Sequence, residues 1–155
     1  MWRTRGRWNA VGVLLLGPAL GSGCGEPAPS EPADGGLLAR IQSSHYQTWG
    51  RPPGWEQRKV GIALHGDAVD IFFNSEMEQA LKSPGLSEWP VGSMLVKDGY
   101  RSSVRTLTAV LEKREQGWVF AEYGASWEQK AFGQPEPCVG CHRDAVDSVY
   151  SVALP

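Results

Sequence analysis

Two thiols and one imidazole fall within five consecutive residues, Cys138-Val139-Gly140-Cys141-His142. This is the spacing of c-type haem attachment. Each thiol can form a thioether to one haem vinyl group, and the adjacent imidazole is then placed under the ring as the proximal iron ligand. Other chemistries use parts of the same pattern: a redox dithiol, half of a zinc site, or a plain disulfide. A structural zinc site needs four N/S ligands. The chain has no second C-x-x-C, and its two other histidines, His45 and His65, lie far upstream. A thioredoxin-like dithiol precedes a helix inside a βαβ unit, whereas Gly133-Gln134-Pro135-Glu136-Pro137 reads as a loop following β-like segments. Covalent haem c, one per chain with His142 on the metal, is the reading the residues favour.

The rest of the chain bears on what such a haem does. Small His/Met electron carriers place the motif early and a methionine ligand downstream. Here thirteen residues follow His142 and none is methionine, while Met77 and Met94 lie upstream and read as core filler. Cytochromes c′ also carry a C-terminal motif, but a four-helix bundle needs four long 3.6-periodic segments. This chain shows short alternating ones broken by Pro and Gly. An open or weakly held sixth position is therefore expected, which means chemistry or gas binding at iron.

The elements that must position the motif form one domain behind an export signal. Arg3, Arg5 and Arg7 precede the apolar run from Ala10 to Leu20, and Gly21-Ser22-Gly23 supplies small residues for cleavage. Eleven apolar-run residues are too few to span a bilayer. Residues 1–23 thus read as a signal peptide. Cys24 directly follows, as in a bacterial lipoprotein, although Leu20 sits four before it and Gly21 occupies the usual lipobox leucine position; ordinary signal-peptidase cleavage remains open. Lipid on Cys24 explains the odd third cysteine; the alternatives are an unpaired thiol or a dimer disulfide. The expected location is periplasmic, anchored to the membrane through Cys24.

Without the signal, 12 basic residues face 17 acidic ones. Neither a basic stripe nor an aromatic–basic interleave is present, which argues against nucleic acid as a partner. Residues 24–36 are Pro-, Gly- and acid-rich and read as a disordered tether. The folded domain is expected over 37–155. Leu37, Ile41 and His45 share a helical stripe, predicting a helix over 37–48 with His45 packed at the core or its boundary. It is stopped by Gly50-Arg51-Pro52-Pro53-Gly54. Strands follow over 60–64, with Val60, Ile62 and Leu64 alternating, and over 69–73. Asn74 or Ser75 caps a short helix running to about Lys82, with Glu78 completing a capping box. Further strands are expected over 93–97, 104–111 and 118–123, the last two joined by a turn at Arg114-Glu115-Gln116-Gly117. Val146, Val149 and Tyr150 predict a final short helix. The fold class is α+β, mainly antiparallel β-sheet with short flanking helices.

In this order, His65-Gly66, Asn74 ahead of a helix containing Ala80, Trp89-Pro90-Val91-Gly92-Ser93-Met94-Leu95-Val96-Lys97-Asp98, Trp118 to Tyr123, and Cys138 to His142 followed by Asp147 and Tyr150 resemble the cytochrome P-460 family. The resemblance spans about Val60 to Tyr150 and rests most on the Pro90–Lys97 segment together with the haem motif. Trp89, Val91 and Asp98 depart from the usual residues. It implies an exported, mainly antiparallel-β haem domain that forms a homodimer. In members that oxidise hydroxylamine, the lysine matching Lys97 is bonded to the haem periphery. The related cytochromes c′-beta share the fold and bind nitric oxide without that link, and a lysine at this position also reads as a solvated strand-end residue.

The expected activity is hydroxylamine oxidation, or oxidation of another small nitrogen species, with electrons passing to a redox partner cytochrome. The alternative is a gas-binding or electron-transfer cytochrome. A proton acceptor near the bound ligand would assist oxidation. Glu136, close to Cys138, and His65 of the His-Gly pair are the candidates beside Lys97. Glu136 reads more readily as a solvated loop acid between two prolines, and His65 equally as a strand-end histidine bonded to backbone. Phe72 and Phe73 face opposite sides of a strand, and Phe72 is the one carried as a haem contact. Asp147 or Tyr150 is expected to hold the free Nδ1–H of His142 or a propionate.

Overall fold

Antiparallel pairing of successive strands organises the protein. The computed structural model describes residues 33–61 and 64–155. The expected signal peptide, Cys24, most of the tether, and Ile62 lie outside the described residues. Six strands, β1 (Lys59–Val60), β2 (Ala68–Phe73), β3 (Met94–Arg101), β4 (Val104–Arg114), β5 (Gly117–Gly124) and β6 (Gln129–Gly133), form one sheet in sequence order. Each pairs antiparallel with the next. Three short helices accompany them: α1 (Leu37–Ser43), α2 (Ser75–Ala80) and α3 (Glu136–His142). No helix among the described residues is long and apolar enough to cross a membrane.

Side-chain alternation along each strand divides the core into two layers. Phe72, Val96, Val110 and Ala121 lie across from one another in β2 to β5, covered by Leu37 and Ile41 of α1 and by Tyr46 of the turn after it. Phe73, Leu95, Leu111 and Phe120 form the adjoining row and face the other way, under Met77 of α2, Trp89 and the C-terminal Val149 and Val152. Both faces of the central strands are therefore covered. Each fully buried side chain of this kind contributes about 1.5–3 kcal/mol.

Local chemistry sets the element ends. Asn74 alone caps α2: its Oδ1 accepts from Met77 N–H at 3.3 Å and Met94 N–H at 2.9 Å, and its amide donates to the Gly92 carbonyl. One side chain thus ties the helix start to the start of β3, and the expected capping box does not form. Ser102 and Ser103, both at positive φ, make the two-residue turn between β3 and β4.

Several sequence expectations are corrected. α1 ends at Ser43, and His45 is exposed at φ 50° while Tyr46 takes the buried position. β1 covers two residues and Leu64 is exposed, so the alternation over 60–64 does not make a buried strand. β6 pairs along β5 in a stretch for which the sequence predicts no element. The final helix is only a 3-10 turn at Val146–Ser148, with Val146 and Tyr150 exposed. Asp34, assigned to the tether, is buried: it accepts from Gly36 and Leu38 N–H and, at 2.7 Å, from the Tyr123 hydroxyl.

Candidate haem-attachment site

The motif lies on α3, which opens at Glu136 and Pro137 inside the segment expected to be loop. Gly133, at φ 98°, ends β6, and Pro135 and Pro137 bracket the helix start, where a missing N–H costs nothing. One helical turn then sets Cys138, Cys141 and His142 at i, i+3 and i+4 on one face. Cys138 is half-buried, Cys141 exposed and His142 buried; the two thiols are free. Burial chiefly, then Glu122 and Cys141, pushes the Cys138 thiol up in pKa.

His142 is oriented from three sides. Its Nδ1–H donates to the Ser148 carbonyl at 2.7 Å. Because a carbonyl only accepts, this bond assigns the proton to Nδ1 and leaves the Nε2 lone pair free, the state a metal requires. The Phe120 ring meets the imidazole edge-on at 5.2 Å and Tyr150 lies at 5.6 Å. The Tyr150 hydroxyl donates to the Cys141 carbonyl at 2.9 Å, satisfying an end-of-helix acceptor. Burial, and after it the Lys97 charge, lowers the His142 pKa against the Ser148 bond, favouring the neutral ring.

Two adjoining cavities open beside this helix face. One, about 470 Å³, is walled by Trp55, Val69, Lys97 and Tyr150. The other, about 230 Å³, is walled by Leu111, Phe120, Glu122 and Cys138. Leu64, His65, Cys141 and His142 line both. Small-molecule sites commonly measure about 300–1,000 Å³ with mainly apolar walls and a few placed polar groups. A further cavity, about 460 Å³ between Arg40, Trp49 and Glu78, holds none of the motif residues.

Strand register brings the polar groups in. Ile71, Lys97, Ala109 and Glu122 are opposite one another across β2 to β5, on the motif side of the sheet. Burial pushes the Lys97 amine below its ordinary pKa. His65 is positioned by glycine: a Cβ on Gly99 would collide with the His65 carbonyl, and one on Gly66, at φ 126°, with the backbone of Tyr100. Burial, then the charges of Lys97 and His142, drives the His65 pKa down to about 4. Its Nδ1 is buried without a hydrogen-bond partner, and Glu122 Oε1 at 3.9 Å is too distant to be one. At neutral pH the imidazole is uncharged and faces a carboxylate without bonding to it.

No family model matches the chain, and no curated protein matches it.

Cys138, Cys141, His142, Lys97 and His65, separated by up to 77 positions, thus converge. Others do not. Phe72 lies on the opposite face of the sheet, edge-on to Tyr46 at 5.7 Å with Arg51 over its ring; strand alternation puts it there, and Phe120 and Tyr150 are the aromatics against the motif. Glu136 is exposed, lines neither cavity, and lies along Gly140 of its own helix. Asp147 binds Trp89, Lys113 and Trp118, leaving His142 to the Ser148 carbonyl. Glu122 and Phe120 were missed, although they alternate with Trp118 along one strand; only the pairing register shows which face meets the motif.

The residues present fit a haem. Two free thiols and a neutral imidazole share one face, beside an apolar-walled cavity. Among the described residues, no three His, Cys, Asp or Glu side chains cluster as an all-protein metal site would need.

Proposed function

We propose that this chain is an exported mono-haem c-type cytochrome of the cytochrome P-460 type, acting on hydroxylamine or a related small nitrogen species. Cys138 and Cys141 would hold the haem covalently and His142 would ligate its iron. Bound there, the haem would supply redox change and small-ligand binding at iron. The observation that carries the reading is the convergence of Lys97 and His65 on the cavities that the Cys-x-x-Cys-His helix borders.

Each remaining group then has a task. The half-buried Lys97 amine would bond the haem edge. His65 is neutral at pH 7 with an unpartnered Nδ1, free to take a hydrogen bond from a substrate N–H or O–H and, as oxidation acidifies that group, its proton. Glu122 stands 3.9 Å away and would stabilise the imidazolium formed. Trp55, Val69 and Phe120 give the cavities apolar walls that would pack against the haem. Electrons leave to a redox partner cytochrome, and lipid on Cys24 anchors the protein at the periplasmic membrane face. Homodimer formation is implied by the family resemblance alone.

The apolar walls support a second reading, a nitric-oxide-binding cytochrome of the c′-beta type, in which Lys97 stays unbonded. Tryptic digestion with mass spectrometry separates the two. The enzyme reading expects the Lys97 peptide joined through haem to the Cys138–His142 peptide, and a ferrous Soret band well to the red of an ordinary c-type haem. Lys97→Leu would remove both signals, spare the thioethers and abolish hydroxylamine turnover. An ordinary spectrum with no joined peptide would leave the gas-binding reading.

A further inference from the structure

Asp147 and Ser148 are consecutive non-glycine residues in the left-handed region, at φ 43° and 61°. Such backbone is strained and persists only where the surroundings over-determine it. Here the surroundings act through the Asp147 carboxylate. It accepts from the Trp89 backbone N–H at 2.7 Å, from Trp118 Nε1–H at 2.8 Å, and from the Lys113 ammonium at 2.8 and 3.1 Å. The donors belong to β4, β5 and the segment leading into β3, so the C-terminal segment is fastened to the sheet. Lys113 is itself buried, its side chain 10% exposed, and Glu88 at 3.1 Å is its other partner. Burial would push its ammonium down in pKa, but the two carboxylates outweigh this and hold it above the ordinary value.

The residue this clamp presents is Ser148, whose carbonyl takes the His142 Nδ1–H at 2.7 Å. Neither Lys113 nor Asp147 lines the cavities around the motif.

We propose that the Lys113–Asp147 clamp is a positioning device for His142, holding a strained two-residue turn so that the Ser148 carbonyl fixes the imidazole's tautomer and direction. Its bearing on a cofactor rests on the reading of His142 as the iron ligand. An acceptor behind a ligating imidazole raises its basicity, so a loosened clamp gives iron a weaker donor and a higher reduction potential.

The test uses the full chain, labelled with ¹⁵N at histidine. In wild type, His142 should show the Nδ1–H tautomer with a slowly exchanging ring proton. Asp147→Ala should accelerate that exchange about tenfold or more and mix the tautomers. Asp147→Asn, which keeps the shape, guards against simple misfolding and should shift the signal in the same direction. Lys113→Met should loosen the ring, and Lys113→Arg should retain wild-type behaviour. Asp70→Ala breaks a separate buried cluster with Arg51 and Arg58 and serves as the stability control. In haem-loaded protein, the midpoint potential should rise in Asp147→Ala and Lys113→Met and stay put in Asp70→Ala. Unchanged His142 exchange in folded Asp147→Asn, or an equal change in Asp70→Ala, overturns the proposal. A wild-type chain that takes up no haem would refute the cofactor reading alone, because the ring-proton measurement still decides the clamp.

Discussion

Acidification should destabilise the fold through His65, and the size of the effect follows from its surroundings. The unfolded chain binds the imidazole proton as pH falls through about 6.5, its ordinary value, whereas the folded chain holds off until about 4. Protonation between those values therefore favours the unfolded state. Stability is lost as pH drops through that window and levels off below it. The full difference amounts to about 3 kcal/mol, an upper bound because the side chain is 20% exposed. Denaturant midpoints of wild type and His65→Gln, measured from pH 7.5 to pH 3.5, isolate the contribution, since His142 titrates in both. Wild type should lose ground to His65→Gln on acidification. Lys97→Met, which removes one charge opposing protonation, should shrink the loss. A haem beside His65 would bury it further and act in the same direction. Parallel pH profiles for wild type and His65→Gln would refute the buried, unpartnered imidazole.

Three further outcomes are expected. Gly99→Ala should dislodge the His65 loop, because the new Cβ meets backbone that cannot yield; the acid-dependent difference between this variant and its His65→Gln double mutant should then vanish. Thr108→Val should cost about 1–3 kcal/mol in urea denaturation, since the buried Asp98 carboxylate would keep only the Tyr46 hydroxyl, and the loss should be less at low pH, where Asp98, its pKa raised by burial, is protonated. Cys24→Ser should move the protein from the membrane fraction to the soluble periplasm; wild type already soluble would argue for ordinary signal cleavage.

Much of the strand order was legible because alternation and the Arg114–Gly117 turn are local signals. β2, β3, β4 and β5 all overlap the expected segments, and Asn74 does cap the middle helix. β6 escaped because Gln129–Gly133 lacks an apolar alternation and owes its form to pairing with β5. The helical stripe ending at His45 was misleading, since the left-handed backbone there rotates Tyr46 inward instead. For the site, Cys138, Cys141 and His142 are contiguous and needed no fold to be found. Lys97 and His65 are expected from a resemblance, and strand β3 and the β1–β2 loop bring them beside the motif. Phe72 was assigned to the wrong face because period-two alternation says that two neighbours oppose each other, not which one faces the haem motif. Glu122 and the Ser148 carbonyl depend on strand register and on a strained turn, neither of which a single sequence displays.

Covalent attachment of one haem through Cys138 and Cys141 is the claim on which the functional account stands. The direct measurement is haem staining of the denatured chain on a gel, after expression with haem-attachment machinery. Wild type should stain, Cys141→Ala should retain a single thioether, and the double Cys138→Ala, Cys141→Ala variant should lose all covalent haem. An unstained wild-type band under those conditions would contradict the account.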